Sequence, residues 1–219
     1  MHIGVLGGTG PAGQGLAARL ATSGYDVLLG SRSRLRAEEI CKALLDRWPE
    51  RGLSIAPADN DAAADGDVVV VATPWDAAAP TVASVASRLA GKVVISMANA
   101  LARVGDEFIP LVPPRGSIAA GVQHAAPECL VAAALHHLPA KDLGDLDHEM
   151  HADVLVCSDH PVALSATSAI IDRVPGLRAV DAGLLSSALA IEALTPVLLQ
   201  VNRRYRTRAS IRLTNLDRS

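Results

Sequence analysis

Three glycines near the start of the chain have the spacing of a dinucleotide-binding turn. Gly8, Gly10 and Gly13 form a G-x-G-x-x-G pattern between a short apolar run, His2–Leu6, and a predicted helix that begins at Pro11. Such glycines permit a tight turn and a close approach of backbone to pyrophosphate, and the helix N-terminus offers free N–H groups. A glycine-rich turn without ligand is the alternative, but the strand-to-helix context favours nucleotide binding.

The end of the second predicted strand indicates which dinucleotide is bound. NAD-binding proteins usually place an Asp or Glu about 20 residues after the glycine turn, whereas this chain has Ser31 and Arg32, with Arg36 one helical turn later. A guanidinium can hold a 2′-phosphate by two hydrogen bonds, and the serine can donate another. The pattern predicts NADP. The alternative is a solvated basic helix start, although such residues oppose the helix dipole unless an anion is bound.

Two further pairs of residues follow predicted strands. Thr73 and Trp75 lie at the sheet edge where ligands bind in such folds, so we expect them to line the cofactor channel. Trp75 as a hydrophobic plug is an equal alternative. His136 and His137 end another apolar run, and no third ligand with metal spacing accompanies them. We interpret them as histidines packed in the core or against a cofactor, and we predict no metal.

The order of predicted elements indicates an α/β fold. Apolar strands alternate with amphipathic helices, which implies a Rossmann-type, doubly wound parallel sheet. The predicted strands are 2–6, 25–29, 53–56, 67–72, 92–96, 130–135, 153–157, 177–181 and a short one near 211. The predicted helices are 11–23, 34–48, 60–64, 76–89, one ending near 126, 161–173 and 186–205. We divide the chain into an NADP-binding domain, residues 1–140, and a small C-terminal α/β domain, residues 141–219.

Composition excludes several partners. The net charge is −3, and one Phe, two Trp and two Tyr leave no base-stacking platform, so neither nucleic acid nor a membrane is expected as a partner. The apolar segment 183–201 approaches membrane-spanning length, but Glu192 and Pro196 within it indicate a buried helix. Three widely spaced cysteines and an N-terminus without a signal-peptide pattern predict a cytoplasmic protein.

With these motifs placed, the chain resembles the NADPH-dependent coenzyme F420 reductases over nearly its whole length. The glycine turn and Gly30-Ser31-Arg32 are common to many Rossmann proteins. More particular to this family are Pro74-Trp75, Ala134-Leu135-His136 with Pro139-Ala140, and Leu177 and Asp181-Ala182-Gly183 with Leu194-Thr195-Pro196. The resemblance implies an N-terminal NADP domain, a small C-terminal lobe, a cleft between them, and hydride transfer between the nicotinamide and the deazaflavin coenzyme F420.

The resemblance also implies roles for individual residues. Contacts to the pyrophosphate would come from Thr9, Gly10, Pro11 and Ala12, and contacts to the 2′-phosphate from Ser31, Arg32 and Arg36. The nicotinamide side would be lined by Trp75, Ala79, Leu101 and Ala140, and the deazaflavin side by His136, Leu138 and Pro139. The chain departs from the family at His137, where a small polar residue is expected, and at Ser96-Met97-Ala98-Asn99, which replaces a more proline-rich segment.

The residues that the chain lacks agree with this chemistry. The Tyr-x-x-x-Lys pair of short-chain dehydrogenases is missing, since Ala209 lies four residues after Tyr205 and Leu29 four after Tyr25. A hydride passed between two flat rings needs alignment and exclusion of water more than a placed acid, so no catalytic acid or base is predicted. The alternatives are an NADP-dependent imine or small-carbonyl reductase and a non-catalytic NADP sensor.

Two C-terminal features suggest further partners. Five arginines form a basic cluster that would attract the phosphate and glutamyl tail of the deazaflavin, with a solvated helix end as the alternative. They are Arg203, Arg204, Arg206, Arg208 and Arg212. The apolar segment 183–201 suggests a homodimer interface, with burial in the core as the alternative.

Overall fold

The computed structural model describes residues 1–216, in which eight of ten strands form one sheet. The strands are β1 (His2–Leu6), β2 (Asp26–Ser31), β3 (Ile55–Asp59), β4 (Val68–Val71), β5 (Val93–Ser96), β6 (Leu101–Val104), β7 (Glu107–Pro110), β8 (Leu130–Ala133), β9 (Ala152–Ser158) and β10 (Leu177–Asp181). The sheet runs in the order β10-β9-β8-β5-β4-β1-β2-β3. Strands β6 and β7 form a separate antiparallel hairpin.

Strand directions confirm the predicted doubly wound sheet. Each pair of neighbours in the sheet is parallel, except β8 with β9. The chain moves outward from β1 to β3 and then returns to the other side of β1 at β4, so the topological switch point lies between β1 and β4. Because β9 runs against β8, the carboxyl ends of β9 and β10 lie at the opposite edge of the sheet from those of the other six strands.

Helices cover both faces of this sheet. In the described chain they are α1 (Pro11–Thr22), α2 (Arg34–Arg47), α3 (Asn60–Ala63), α4 (Trp75–Ser84), α5 (Ala86–Leu89), α6 (Ile118–Ala125), α7 (Ala140–Leu143), α8 (Pro161–Asp172) and α9 (Ala188–Tyr205). Helices α1, α2 and α8 pack on one face, and α4, α6 and α9 on the other. Short 3-10 helices span Pro49–Arg51 and Leu185–Ser187.

Strand β4 shows how the sheet separates two cores. Val68 and Val70 belong to the core under α1, whereas Val69 and Val71 belong to the core under α4. Successive side chains of a strand point to opposite faces, so a run of four valines is buried on both sides. The aliphatic composition therefore suits a parallel sheet that is covered by helices on both faces.

Two predicted elements have different bounds in the structure. The helix expected over 76–89 is divided at Val85, whose φ of −120° leaves the helical range, into α4 and α5. The third strand was expected over 53–56 but is β3, because it pairs with β2 from Val27 opposite Ile55 to Ser31 opposite Asp59. Pairing with β2 sets the bounds of β3, and the local sequence pattern could not predict this pairing.

Two segments were predicted wrongly. No strand was predicted between 96 and 130, but this stretch contains the β6–β7 hairpin, whose turn includes Gly105 at φ +56°. No strand forms near Ile211 in the described range. There the Ile211 carbonyl accepts a hydrogen bond from the Asp153 amide at 2.8 Å, but the Leu213 amide donates to the Asp153 carboxylate at 2.6 Å. The Asp153 side chain thus accepts the next hydrogen bond, which a backbone carbonyl would accept if two strands were paired here.

The chain beyond residue 140 continues the same sheet through β9 and β10. Helix α7 is anchored to α1 by Arg19, which is 7% exposed and donates to the carbonyls of Leu143, Asp142, Asp145 and His148. A Cβ on Gly15 would lie 2.7 Å from the Gly144 nitrogen, so the two segments are in close contact. The division into domains at residue 140 stays a prediction.

Candidate active site at the carboxyl edge of the sheet

The turn between β1 and α1 is held by backbone contacts that only glycine allows. Gly7 has φ +64°, and its amide donates to Asn60 Oδ1 at 3.1 Å. The Gly8 amide donates to the Gly30 carbonyl at 2.8 Å. A Cβ on Gly13 would lie 2.7 Å from Gly8 Cα. The inner side of the turn is therefore packed against the backbone of the strands and of α1.

The outer side of the same turn is open. A Cβ on Gly10 would meet nothing within 4 Å. Gly10 is the N-cap of α1 and provides no side-chain acceptor, and Pro11 occupies the first turn. Thr9 is half-buried, and its carbonyl accepts from Gln14 Nε2 at 2.6 Å. Backbone N–H groups of the first turn thus have no side-chain cap, which suits an anion.

The end of β2 presents a buried serine beside exposed cations. Ser31 is 6% exposed, and its Oγ accepts from the Ser33 amide at 3.2 Å. Arg32 is exposed and makes no ion pair with any residue of the described range. Arg36 pairs with Glu39 at 3.0 Å, an exposed pair that is worth about 0–1 kcal/mol and yields readily to a better anion.

An acidic residue, Asp59, lies opposite Ser31 on β3. Its Oδ1 accepts from the Ala62 amide at 2.8 Å and caps α3. The carboxylate is thus used by the backbone, and the acid that binds a ribose hydroxyl in NAD proteins has no counterpart at the end of β2.

The residues after β4 lie beside the glycine turn. A Cβ on Gly7 would lie 2.4 Å from Thr73 Cγ2, and Thr73 Oγ1 is buried without a hydrogen bond to the described residues. Trp75 begins α4 and is 39% exposed, which is inconsistent with a buried plug. Ala79 lies one turn along α4 and Leu101 begins β6, and both are half-buried. The structure thus joins Thr73 to the turn and leaves Trp75 accessible.

A cavity of about 360 Å³ lies beyond the end of β8. Its walls come from the segment after β8, from α9 and from the chain that follows α9. They are His136, His137, Leu138, Pro139, Ala140, Lys141, Thr195, Leu198, Leu199, Asn202, Thr207 and Arg208. The four residues predicted on the deazaflavin side or next to it, His136, Leu138, Pro139 and Ala140, are therefore brought together in one apolar cavity of the size that small ligands occupy.

His136 is the unusual polar group of this cavity. Its ring is 4% exposed, and neither ring nitrogen makes a hydrogen bond to the described residues. Burial, together with the neighbouring His137, lowers the pKa of His136 to about 3, so its imidazole is neutral at physiological pH. The ring thus lies in the wall of the cavity with the hydrogen-bonding capacity of both nitrogens unused among the described residues.

The backbone of His136 is fixed from two elements. Its carbonyl accepts from Asn99 Nδ2 and from Thr195 Oγ1, each at 3.0 Å. The preceding residue, Leu135, has φ +70°, a conformation that side chains other than glycine rarely adopt. His137 Nε2 lies 2.8 Å from the Asp153 carbonyl, and burial lowers the His137 pKa. One histidine is thus held against β9, while the other faces the cavity.

Two asparagines position this site and received no role from the sequence. Asn60 holds Gly7, and Asn99 holds the His136 carbonyl. Each follows a strand at the same edge of the sheet, which is the signal that could have identified them. Their importance depends on which backbone group they reach, and the sequence does not give this.

The described residues provide no group of three or more His, Cys, Asp or Glu side chains that could hold a metal ion. The buried Glu192 on α9 has a structural role instead, because its carboxylate accepts from the amides of Ile118 and Ala119 at 2.9 and 3.1 Å. Burial raises the pKa of this carboxyl to about 7. The arrangement can bind, orient and dehydrate two flat ligands.

Comparison with known proteins agrees with this geometry. A family described as "NADP oxidoreductase coenzyme F420-dependent" matches residues 2–100. The F420-dependent NADP reductase of Methanocaldococcus jannaschii is 36% identical over 99% of this chain and 100% of its own length. That of Methanothermobacter thermautotrophicus is also 36% identical, over 99% of this chain and 96% of its own length.

A solved structure shares the fold. It is a candidate F420-dependent NADP-reductase from Arthrobacter sp. FB24, with a TM-score of 0.75 and 24% identity, and the match covers 96% of this chain and 99% of the other. The two archaeal relatives are similar along the whole chain, including both the glycine turn and the segment after β8. The chain therefore belongs to the family of F420-dependent NADP reductases.

Proposed function

We propose that this protein is an oxidoreductase that transfers a hydride between NADP(H) and the deazaflavin coenzyme F420. The observation that carries the proposal is the cavity lined by His136 and Ala140, which adjoins a second cavity that is lined by Ala140 and by Pro11 of the glycine turn, in a chain of this family. When bound, the nicotinamide supplies or accepts the hydride, and the deazaflavin is its counterpart.

The NADP side is proposed for the turn and the end of β2. Thr9, Gly10, Pro11 and Ala12 would hold the pyrophosphate by backbone N–H groups, because α1 has no side-chain cap. Ser31, Arg32 and Arg36 would hold the 2′-phosphate. Arg32 is exposed and lacks an ion pair in the described range, so it can take this role without losing a partner.

The region between the two ligands is proposed for small and apolar side chains. Thr73, Trp75, Ala79, Leu101 and Ala140 would line the nicotinamide, and His136, Leu138 and Pro139 the deazaflavin. The His136 backbone, which is held by Asn99 and Thr195, would help to orient the deazaflavin ring. No side chain need act as acid or base, since a proton on the deazaflavin can come from solvent.

We infer that the protein is a homodimer in which α9 contributes to the interface. Leu184, Leu189 and Val197 are 63%, 38% and 54% exposed, on or just before a long apolar helix. Such a stripe is commonly covered by a second copy. Light scattering should give twice the monomer mass, and Val197→Glu should lower it to that of the monomer. A wild-type monomer would contradict this inference.

We also propose that the protein acts in the cytoplasm without a membrane. By length and composition one stretch, Leu185–Tyr205, could cross a bilayer. Against this, Glu192 in its middle holds the first amides of α6, and Thr195 holds the His136 carbonyl. The three cysteines are free and buried, which suits a reducing compartment. Fractionation into a soluble extract without detergent tests the proposal.

The direct test of the activity is a spectrophotometric assay. The protein is mixed with NADPH and oxidised coenzyme F420, and the absorbance of both is followed, with NADH as the control donor. We expect F420 reduction that depends on NADPH. Turnover of imines or ketones without F420 reduction would favour the other reductase instead. Tight NADPH binding with no turnover of any acceptor would favour the sensor.

A further inference from the structure

Two cavities adjoin at the beginning of α7. One is the His136 cavity, and the other, of about 390 Å³, lies between α1, α2 and α7. Both are lined by Ala140, Lys141 and Arg208. The remaining walls of the second are Pro11, Gln14, Gly15, Leu44, Arg47, Gly144 and Asp145. The two cavities therefore share three lining residues, which places the second cavity next to the first.

The second cavity has an excess of positive charge. Its charged lining residues are Arg47, Lys141, Arg208 and one acid, Asp145. Arg47 and Lys141 make no ion pair within residues 1–216. Arg208 pairs with Asp142 at 2.9 Å. We call the cations Arg47, Lys141 and Arg208, with the cavity they line, the basic groove.

The walls of the basic groove are already in place. Helix α7 is fixed to α1 by Arg19 and by the contact between Gly15 and Gly144. Arg47 lies over the Trp48 ring, with its guanidinium carbon 4.9 Å from the ring centroid. A cationic surface that is already formed loses little conformational entropy when it binds an anion.

The structure also separates the five C-terminal arginines. Arg203 pairs with Asp106 of the hairpin at 2.6 Å. Arg208 lines both cavities, whereas Arg204, Arg206 and Arg212 line neither. The cations that line the two cavities therefore come from three parts of the chain: α2, α7 and the segment after α9.

We propose that the basic groove binds the anionic tail of the deazaflavin coenzyme, its phosphodiester and glutamyl carboxylates, while the ring occupies the His136 cavity. This inference rests on the proposed function. The phosphates of NADP share the chemistry of the tail, so the test separates the two ligands.

The test compares two cations of α2 with different placement. Arg47→Glu reverses a charge that lines the basic groove and not the His136 cavity, and Lys42→Glu reverses an exposed charge that lines neither cavity. KM and kcat are measured with tailed coenzyme F420, with the tail-less ribityl deazaflavin, and with NADPH as the varied substrate. Each series is run at low salt and at about 0.5 M salt, where exposed charges are screened.

We expect Arg47→Glu to raise the KM for tailed F420 about three- to tenfold, with kcat and the KM values for the tail-less acceptor and NADPH unchanged. High salt should reduce the difference, Arg47→Gln should give a smaller effect of the same kind, and Lys42→Glu none. Equal shifts with both acceptors, a shift confined to NADPH, or no shift would overturn the inference. Wild-type turnover of both acceptors would still uphold the activity, whereas turnover of neither would reject the activity itself.

Discussion

The two sides of the candidate site are built by different means. On the proposed NADP side, the backbone of the glycine turn and the side chains at the end of β2 come from two short stretches, Gly7–Gly13 and Gly30–Arg36. On the deazaflavin side, the His136 cavity collects side chains from the segment after β8, from α9 and from the chain beyond it. A site formed by residues that are close in the sequence can be predicted from the sequence. A site formed by the packing of distant segments can be identified only from the structure.

The two sides also differ in charge. The proposed NADP side presents Arg32 to solvent, without an ion pair to any residue of 1–216, whereas the proposed deazaflavin side buries the neutral imidazole of His136. The first suits a doubly charged phosphate, and the second suits an uncharged ring. Substitutions on one side should therefore affect one ligand and spare the other.

The largest effect should come from closing the glycine turn. In Gly13→Ala the new Cβ would lie 2.7 Å from backbone atoms of Gly8, which cannot rotate away. We expect a loss of about 3 kcal/mol of unfolding free energy and at least a tenfold weaker binding of NADPH. Urea denaturation and NADPH titration measure both. The matched control is Gly121→Ala in α6, where a Cβ meets nothing within 4 Å and should stabilise the protein slightly.

Next in size is the cofactor preference set by Arg32. In Arg32→Glu, the ratio of kcat/KM for NADPH to that for NADH should fall about 100-fold, or about 2.7 kcal/mol, because a carboxylate replaces the cation that would face the 2′-phosphate. NADH serves as the internal control, since it lacks that phosphate. Equal losses for the two cofactors would contradict the assigned role.

The third effect tests Glu192, whose carboxylate joins α9 to the first amides of α6 beside the proposed deazaflavin side. The Glu192 carboxyl has its pKa raised from 4.5 to about 7, so between those values the native state binds more protons than the unfolded state. Its contribution is fully present below the unfolded pKa and is lost as pH rises through the native one, by on the order of 2 kcal/mol. Denaturation between about pH 5 and about pH 8 should show this fall in wild type and not in Glu192→Gln. Parallel curves for the two proteins would refute it.

The smallest expected effect tests most directly whether the two sides of the site act independently. Asn60→Ala frees the Gly7 amide, and Asn99→Ala removes one of two donors to the His136 carbonyl. Each should cost about 1 kcal/mol, or roughly fivefold, in KM. We expect the first to raise the KM for NADPH alone and the second the KM for F420 alone. If both variants change both constants alike, the two sides are not independent.

The sequence predicted the sheet and the glycine turn because their determinants are local. The valines of β4 and the glycines from Gly7 to Gly13 carry the necessary pattern within a few residues. The hairpin at 101–110 is also local, with Gly105 in its turn, and was nevertheless missed. The absence of a strand near Ile211 depends instead on a distant partner, because the Leu213 amide donates to the Asp153 carboxylate. For the same reason no role could be assigned from the sequence to Asn99, which acts on His136, 37 residues away.

The antiparallel junction of β8 with β9 directs the ends of the last two strands away from the ligand edge. Within residues 1–216, the chain after β10 reaches the His136 cavity through α9 and the few residues that follow it. Exchanging this terminal segment would change which acceptor is admitted while the dinucleotide half stays intact. An evolving lineage, or a protein engineer, could thus alter substrate choice by editing one contiguous stretch of the gene.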